Sequence, residues 1–161
     1  MAKVILTCGK LGCGKTTYAK RLCAERGTML LSADELMLSL FGQDAGEKHD
    51  EYLEKVKAWL LNRSLELVSL GVDAVLDWGL WTKAERAELR AFYAARAVPC
   101  EIHYLELDEE IRRQRIDERN RAVLSGSGKD YYVDEGLASK LDRLFEPPEP
   151  AEVDVWVTQA E

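Results

Sequence analysis

No apolar run in this chain approaches the eighteen or so residues that a membrane span requires, so a helical membrane protein is excluded. Positive charge is also in short supply: 22 Lys and Arg stand against 29 Asp and Glu, a formal net charge of −7. Such a surface repels polyanions as a whole, and only a local basic patch could carry nucleic-acid binding. Histidine is nearly missing, with only His49 and His103. A loop histidine at 49 could touch a substrate and a strand histidine at 103 reads as a core residue, so neither is assigned a role. Cys8, Cys13, Cys23 and Cys100 form no CxxC pair and have no companion histidine, which excludes the usual structural zinc sites. They read as free thiols filling strand and helix positions, with Cys13 modifiable because a helix begins beside it. The chain enters strand-like sequence at Val4, leaving no room for a cleavable leader, and a cytoplasmic protein is expected. Its 161 residues suit one domain, residues 1–161, with a core of its own.

What the chain does contain is Gly9-Lys10-Leu11-Gly12-Cys13-Gly14-Lys15-Thr16, the spacing G-x-x-x-x-G-K-[ST], directly after the apolar run Val4-Ile5-Leu6-Thr7. Glycines at these positions let backbone N–H groups fold inward around phosphate oxygens, and the helix that follows adds the positive end of its dipole. Lys15 would reach the β- and γ-phosphates, and the Thr16 hydroxyl would ligate Mg²⁺. Gly9, Lys10, Leu11, Gly12, Cys13, Gly14, Lys15, Thr16 and Thr17 are the expected nucleotide-binding positions.

Along the chain, strand and helix signals alternate. Strands are expected over residues 4–8, 28–31, 72–77, 101–107 and 153–157, the last alternating and so placed at a sheet edge. Helices are expected over 14–26, 32–42, 51–70, 82–97, 108–121 and 133–144, with Ser32-x-x-Glu35 and Thr82-x-x-Glu85 as capping boxes and residues 43–50 as a loop. Five strands separated by helices predict an α/β fold in three layers, a parallel sheet covered on both faces. Ligands of such sheets bind at the carboxyl ends of the strands, where Lys15, Asp34, Asp77, Trp78 and Trp81 all fall.

Asp34 follows the second strand, where a carboxylate could orient an acceptor hydroxyl and take its proton; it would also suit the first turn of a capped helix without any chemistry. Asp77 ends an apolar strand and is the natural partner of Mg²⁺ beside Thr16, or else a plain turn aspartate. Trp78 and Trp81 read equally as a pocket wall or as packing beneath the next helix. Arg112, Arg113, Arg115, Arg119 and Arg121 crowd one helix. Arg112, Arg115 and Arg119 share a face by spacing; such a face can close over a triphosphate, and Arg115 and Arg119 are the functional candidates. Arg113 and Arg121 read as solvated. Ser125 to Asp130 reads as a hinge-like stretch.

These residues together resemble a known group. The glycine loop, Ser32-x-Asp34, Asp77-Trp78-Gly79-Leu80-Trp81-Thr82 with Glu85 and Arg86, Arg115-x-x-x-Arg119-Asn120 and Phe145-Glu146-Pro147-Pro148 are similar to the small P-loop kinases of the polynucleotide kinase, zeta toxin and chloramphenicol phosphotransferase type. The resemblance implies a P-loop NTPase fold with a five-stranded parallel sheet in the order 2-3-1-4-5, ATP with Mg²⁺, and transfer of the γ-phosphate to a hydroxyl. It implies Asp34 as base, Arg115 or Arg119 as the arginine of a lid over about residues 112–132, and Phe145 and Pro147 near the adenine. Polynucleotide kinases carry Asp-x-x-Arg where this chain has Asp34 and then Met37. With the acidic charge, that counts against a polynucleotide acceptor and favours a hydroxyl-bearing small molecule. A 5′-hydroxyl polynucleotide kinase and a slowly hydrolysing ATP switch are the rival readings.

Overall fold

The computed structural model describes residues 1–128 and 130–158; Lys129, within the expected lid, and the last three residues lie outside them. The apolar run Val4–Cys8 forms strand β1, buried at all five positions. It is flanked on both edges by parallel neighbours and covered on both faces, which is why it shows no polar alternation. With β2 (Met29–Ser32), β3 (Ala74–Asp77), β4 (Cys100–Glu106) and β5 (Val155–Thr158) it makes one parallel sheet in the order β2-β3-β1-β4-β5. This is the order that the resemblance implies.

Six α-helices surround the sheet among the described residues: α1 (Lys15–Arg26), α2 (Ala33–Phe41), α3 (His49–Ser69), α4 (Lys83–Ala94), α5 (Glu109–Leu124) and α6 (Glu135–Leu144). The two faces of β1 separate the layers. Val4, Leu6 and Cys8 enter a cluster with Val56 and Leu60 of α3 and Tyr93 of α4. Ile5 enters a second cluster with Tyr18, Ala19 and Leu22 of α1. On that second side the Tyr18 hydroxyl and His103 Nδ1 share a buried 2.8 Å hydrogen bond, so His103 is a satisfied core residue. Among the described residues no helix is long and apolar enough to cross a membrane.

Both N-caps form at the expected places, and the second closes as a full reciprocal box. Ser32 accepts from the Glu35 N–H at 3.2 Å, and Thr82 and Glu85 cap each other's backbone. Several boundaries differ from expectation. The expected loop at 43–50 contains a 3₁₀ turn, Gly46–Lys48, and α3 already begins at His49. Helix α4 stops at Ala94, short of Pro99, because Ala97 takes φ +54° and the Val98 N–H returns to the Tyr93 carbonyl. That left-handed closure ends a helix without needing proline.

The register then sets up the site. Ser32 of β2 pairs with Asp77 of β3, so Asp34, two residues farther on, emerges beside Asp77 at the carboxyl edge.

Candidate active site

Between β1 and α1 the chain makes a turn that only glycine accommodates at two points. A Cβ on Gly9 would stand 2.5 Å from Cys13 Sγ and 2.7 Å from the Leu105 carbonyl oxygen. Gly12, at φ +78°, brings its backbone against α5, where a Cβ would stand 2.7 Å from Ile116 Cγ1. Helix α1 opens at Gly14 with no side-chain cap and no acidic residue in its first turn, whereas α2, α4, α5 and α6 are capped by Ser32, Thr82, Asp108 and Asp134. The first N–H groups of α1 and the positive end of its dipole are therefore available to an anion.

The loop lysine and threonine are held in place. Lys15 Nζ donates to the carbonyl oxygens of Gly9 at 2.7 Å and Lys10 at 2.9 Å, and lies 5.6 Å from the Trp81 ring centre. Thr16 Oγ1 donates to Asp77 Oδ2 at 2.8 Å. Asp77 is buried, and its other oxygen accepts from Thr7 at 3.4 Å. The pair offers hard oxygen donors, but among the described residues no group of three or more His, Cys, Asp or Glu could cage a metal. Thr16 and Asp77 therefore fit a Mg²⁺ completed by phosphate oxygens and water, which is how that ion is ordinarily bound.

A cavity of about 710 Å³ opens over the loop, and Leu11, Gly12, Gly14, Lys15, Thr16, Thr17, Asp34, Asp77, Arg115 and Arg119 all line it. Cys13 is buried beneath the loop. Asp34 is open to solvent within the concavity, yet the surrounding walls remove much of its bulk water. That desolvation, together with the like charge of Asp77, raises its pKa above the usual aspartate value; Lys15, Arg119 and Lys57 pull the other way. Asp34 also lines a second cavity of about 520 Å³, which it shares with the first along with Thr16, Trp78, Trp81 and Arg119. Arg119 presents a buried Nε with no hydrogen-bond partner. Both tryptophans are walls as well as packing: Trp81 also meets Phe145 edge-on at 6.3 Å.

Three residues stand apart from the cavities. Phe145 and Pro147 line neither cavity. Phe145 is core, packed between Trp81 and Tyr104, and Pro147 is exposed in a segment tied to α4 through Glu146, whose carboxylate accepts from the Lys83 N–H. Arg112 shares helical spacing with Arg115 and Arg119 but has a different task. It is buried, paired with Glu109 and with Asp142 of α6 at 2.7 Å, and it donates to the Leu11 carbonyl at 2.9 Å. It ties the loop, α5 and α6 together. Arg113 and Arg121 are solvated, as expected.

Sequence reasoning missed Tyr131, Gln43 and the anchoring task of Asn120. Gln43 donates to the Asp130 carbonyl at 2.7 Å and accepts from the Tyr132 N–H at 3.2 Å. Asn120 donates to the Val133 carbonyl and accepts from the Val133 N–H. The two amides clamp residues 130–133 over the second cavity, with Tyr131 in its wall. An isolated carboxamide carries no sequence signal for such a bridge.

A family profile described as an AAA domain matches residues 4–148. No curated protein matches the sequence significantly. Among solved structures, Kti12 of Chaetomium thermophilum, in complex with ADP-AlF3, is similar at 20% identity and a TM-score of 0.71, over 98% of this chain and 88% of that one. A sugar kinase from Janibacter sp. HTCC2649 is similar at 18% identity and a TM-score of 0.66, over 98% and 86%. A gluconokinase from Sinorhizobium meliloti 1021 is similar at 16% identity and a TM-score of 0.63, over 99% and 83%. At these identities the likeness is one of fold, and that fold is the P-loop kinase fold.

Proposed function

Because the chain belongs to this AAA domain family, we propose that it is a P-loop phosphotransferase that moves the γ-phosphate of ATP to a hydroxyl of a small molecule. The observation that carries the reading is the position of Asp34, a carboxylate at the junction of two cavities, one over the phosphate loop and one beyond it. A site that only bound or hydrolysed nucleotide has no need of the second cavity or of a base between the two.

In this reading the open end of α1 and Lys15 hold the β- and γ-phosphates. Thr16 and Asp77 hold Mg²⁺, which neutralises phosphate charge when bound. Asp34 accepts the proton of the acceptor hydroxyl as its oxygen bonds to the γ-phosphorus and the bond to the ADP oxygen breaks. Arg115 and Arg119 stabilise the charge on the phosphoryl group in transit, and α5 with the segment after it, about residues 112–132, serves as the lid. Position 37, where polynucleotide kinases place their arginine, is here a methionine buried in the core, which leaves no cation at that point for a nucleic-acid phosphate.

The test is Asp34→Asn with ATP, Mg²⁺ and a panel of hydroxyl compounds, the phosphorylated product being detected by mass. Transfer should fall by about 10²- to 10⁴-fold with ATP affinity nearly unchanged. Normal transfer by the variant would refute the assigned role.

A further inference from the structure

Glycine stands at position 79 for a reason that its own backbone does not supply. Its φ lies outside the left-handed region that demands glycine. The reason is the side chain two residues on. A Cβ at position 79 would overlap Nε1 and Cε2 of Trp81 and stand 2.6 Å from its Cζ2, so the indole lies directly on the Gly79 backbone. Trp81 is fixed on this seat. Its N–H donates to Glu85 Oε2 at 2.9 Å, its carbonyl accepts from the Glu146 N–H at 2.6 Å, and its ring meets Phe145 edge-on. From there the ring faces Lys15, whose Nζ is 5.6 Å from its centre.

All the partners of Lys15 are neutral. Its Nζ donates to the Gly9 and Lys10 carbonyls of its own loop and lies 3.8 Å from Cys13 Sγ, and among the described residues no carboxylate pairs with it. The indole fits this pattern. A π face attracts an ammonium without claiming a particular N–H, so the contact can persist while the N–H groups turn from carbonyl to phosphate oxygens. A carboxylate in the same place would compete with the phosphates for the lysine.

Resting on the nucleotide-binding part of the proposed function, we infer that Trp81 is a positioning residue: seated on Gly79, its ring keeps the Lys15 ammonium over the phosphate loop. The long lysine stem is then already ordered when the β- and γ-phosphates arrive. Losing that order should weaken nucleotide binding about 2- to 12-fold, the worth of immobilising one long flexible side chain.

The experiment is calorimetry with the Mg²⁺ complex of a non-hydrolysable ATP analogue, on variants whose unfolding midpoints show them folded at the assay temperature. Trp81→Leu keeps apolar bulk but has no π face, and it should lose affinity by that factor. Gly79→Ala adds one methyl group and displaces the indole, so it should do the same. Trp81→Phe, with a smaller ring that still offers a π face, should recover most of the affinity. In a Lys15→Met background Trp81→Leu should have no further effect, because no ammonium is left to order. A second readout needs no nucleotide. Lys15→Met should change the tryptophan emission of the parent and not that of Trp81→Phe, since the ammonium stands over this indole. Full affinity in Trp81→Leu, or an equal loss with and without Lys15, would overturn the inference and leave nucleotide binding standing. Emission indifferent to Lys15→Met would overturn it as well. A parent that binds no analogue would overturn the nucleotide reading and the inference with it.

Discussion

Replacing Gly12 by alanine separates two physical costs that usually arrive together. Gly12 sits at φ +78°, a conformation that costs an L-residue about 1–2 kcal/mol. Its new Cβ would also meet Ile116 Cγ1 at 2.7 Å and the Arg112 carbonyl oxygen at 3.2 Å. Ile116 is buried and the carbonyl belongs to helix backbone, so neither yields freely, and overpacking of this kind adds about 1–3 kcal/mol. Gly12→Ala should therefore destabilise by about 2–5 kcal/mol, the sum of the two. Gly27 supplies the control. It has φ +65°, and a Cβ there would meet nothing within 4 Å, so Gly27→Ala carries only the backbone cost of about 1–2 kcal/mol. Urea unfolding of both variants gives the difference. Placing Gly12→Ala in an Ile116→Ala background should remove the packing part and reveal a coupling of about 1–3 kcal/mol. Affinity for a non-hydrolysable ATP analogue should fall about tenfold or more for Gly12→Ala and stay within about twofold for Gly27→Ala, a tenfold change being about 1.4 kcal/mol. Equal destabilisation by the two alanines would refute the claim that α5 is packed against the loop.

Asp34→Asn should unfold at a higher temperature than the parent at pH 7.5, because the raised pKa of Asp34 means that its ionisation opposes folding. The difference should vanish below the ordinary aspartate value, about pH 3.9, where the side chain is protonated in both folded and unfolded chains. For the same reason the acid limb of the transfer rate should lie above about pH 3.9 and move lower in Asp77→Asn, whatever that variant does to the plateau. Burial lowers the pKa of His103 despite the opposing pull of Glu101, so below about pH 6.5 the unfolded chain takes up a proton that the native one refuses. Stability should fall as pH drops from 7.5 to 5.5, and His103→Gln should flatten that slope in urea titrations. Arg112→Met should cost about 2–3 kcal/mol in urea unfolding, less than a fully buried pair because Glu109 and Asp142 are partly solvated, and should weaken ATP binding through the freed Leu11 carbonyl.

The parts of the molecule that are legible in sequence are those encoded over short distances. Continuous apolar sequence at Val4–Cys8, the glycine spacing from Gly9 and the N-caps at Ser32 and Thr82 each specify their structure within a few residues. Alternation of strand and helix is enough for the layers, and the family resemblance supplies the strand order. What stays hidden depends on partners far along the chain. Spacing places Arg112 with Arg115 and Arg119, but spacing reports a helix face and not the Asp142 carboxylate thirty residues away that turns Arg112 inward. The packing of Phe145 is hidden for a similar reason: an aromatic beside prolines does not reveal that Trp81 and Tyr104 enclose it.

The clamp on residues 130–133 bears on how such a site could change its taste. All four bonds from Gln43 and Asn120 go to main-chain atoms of Asp130, Tyr132 and Val133. Nothing in that grip depends on which side chain stands at position 131. The wall of the second cavity can thus be rewritten at position 131 while its path stays fixed, so under the proposed function a point substitution suffices to change acceptor preference without a new loop.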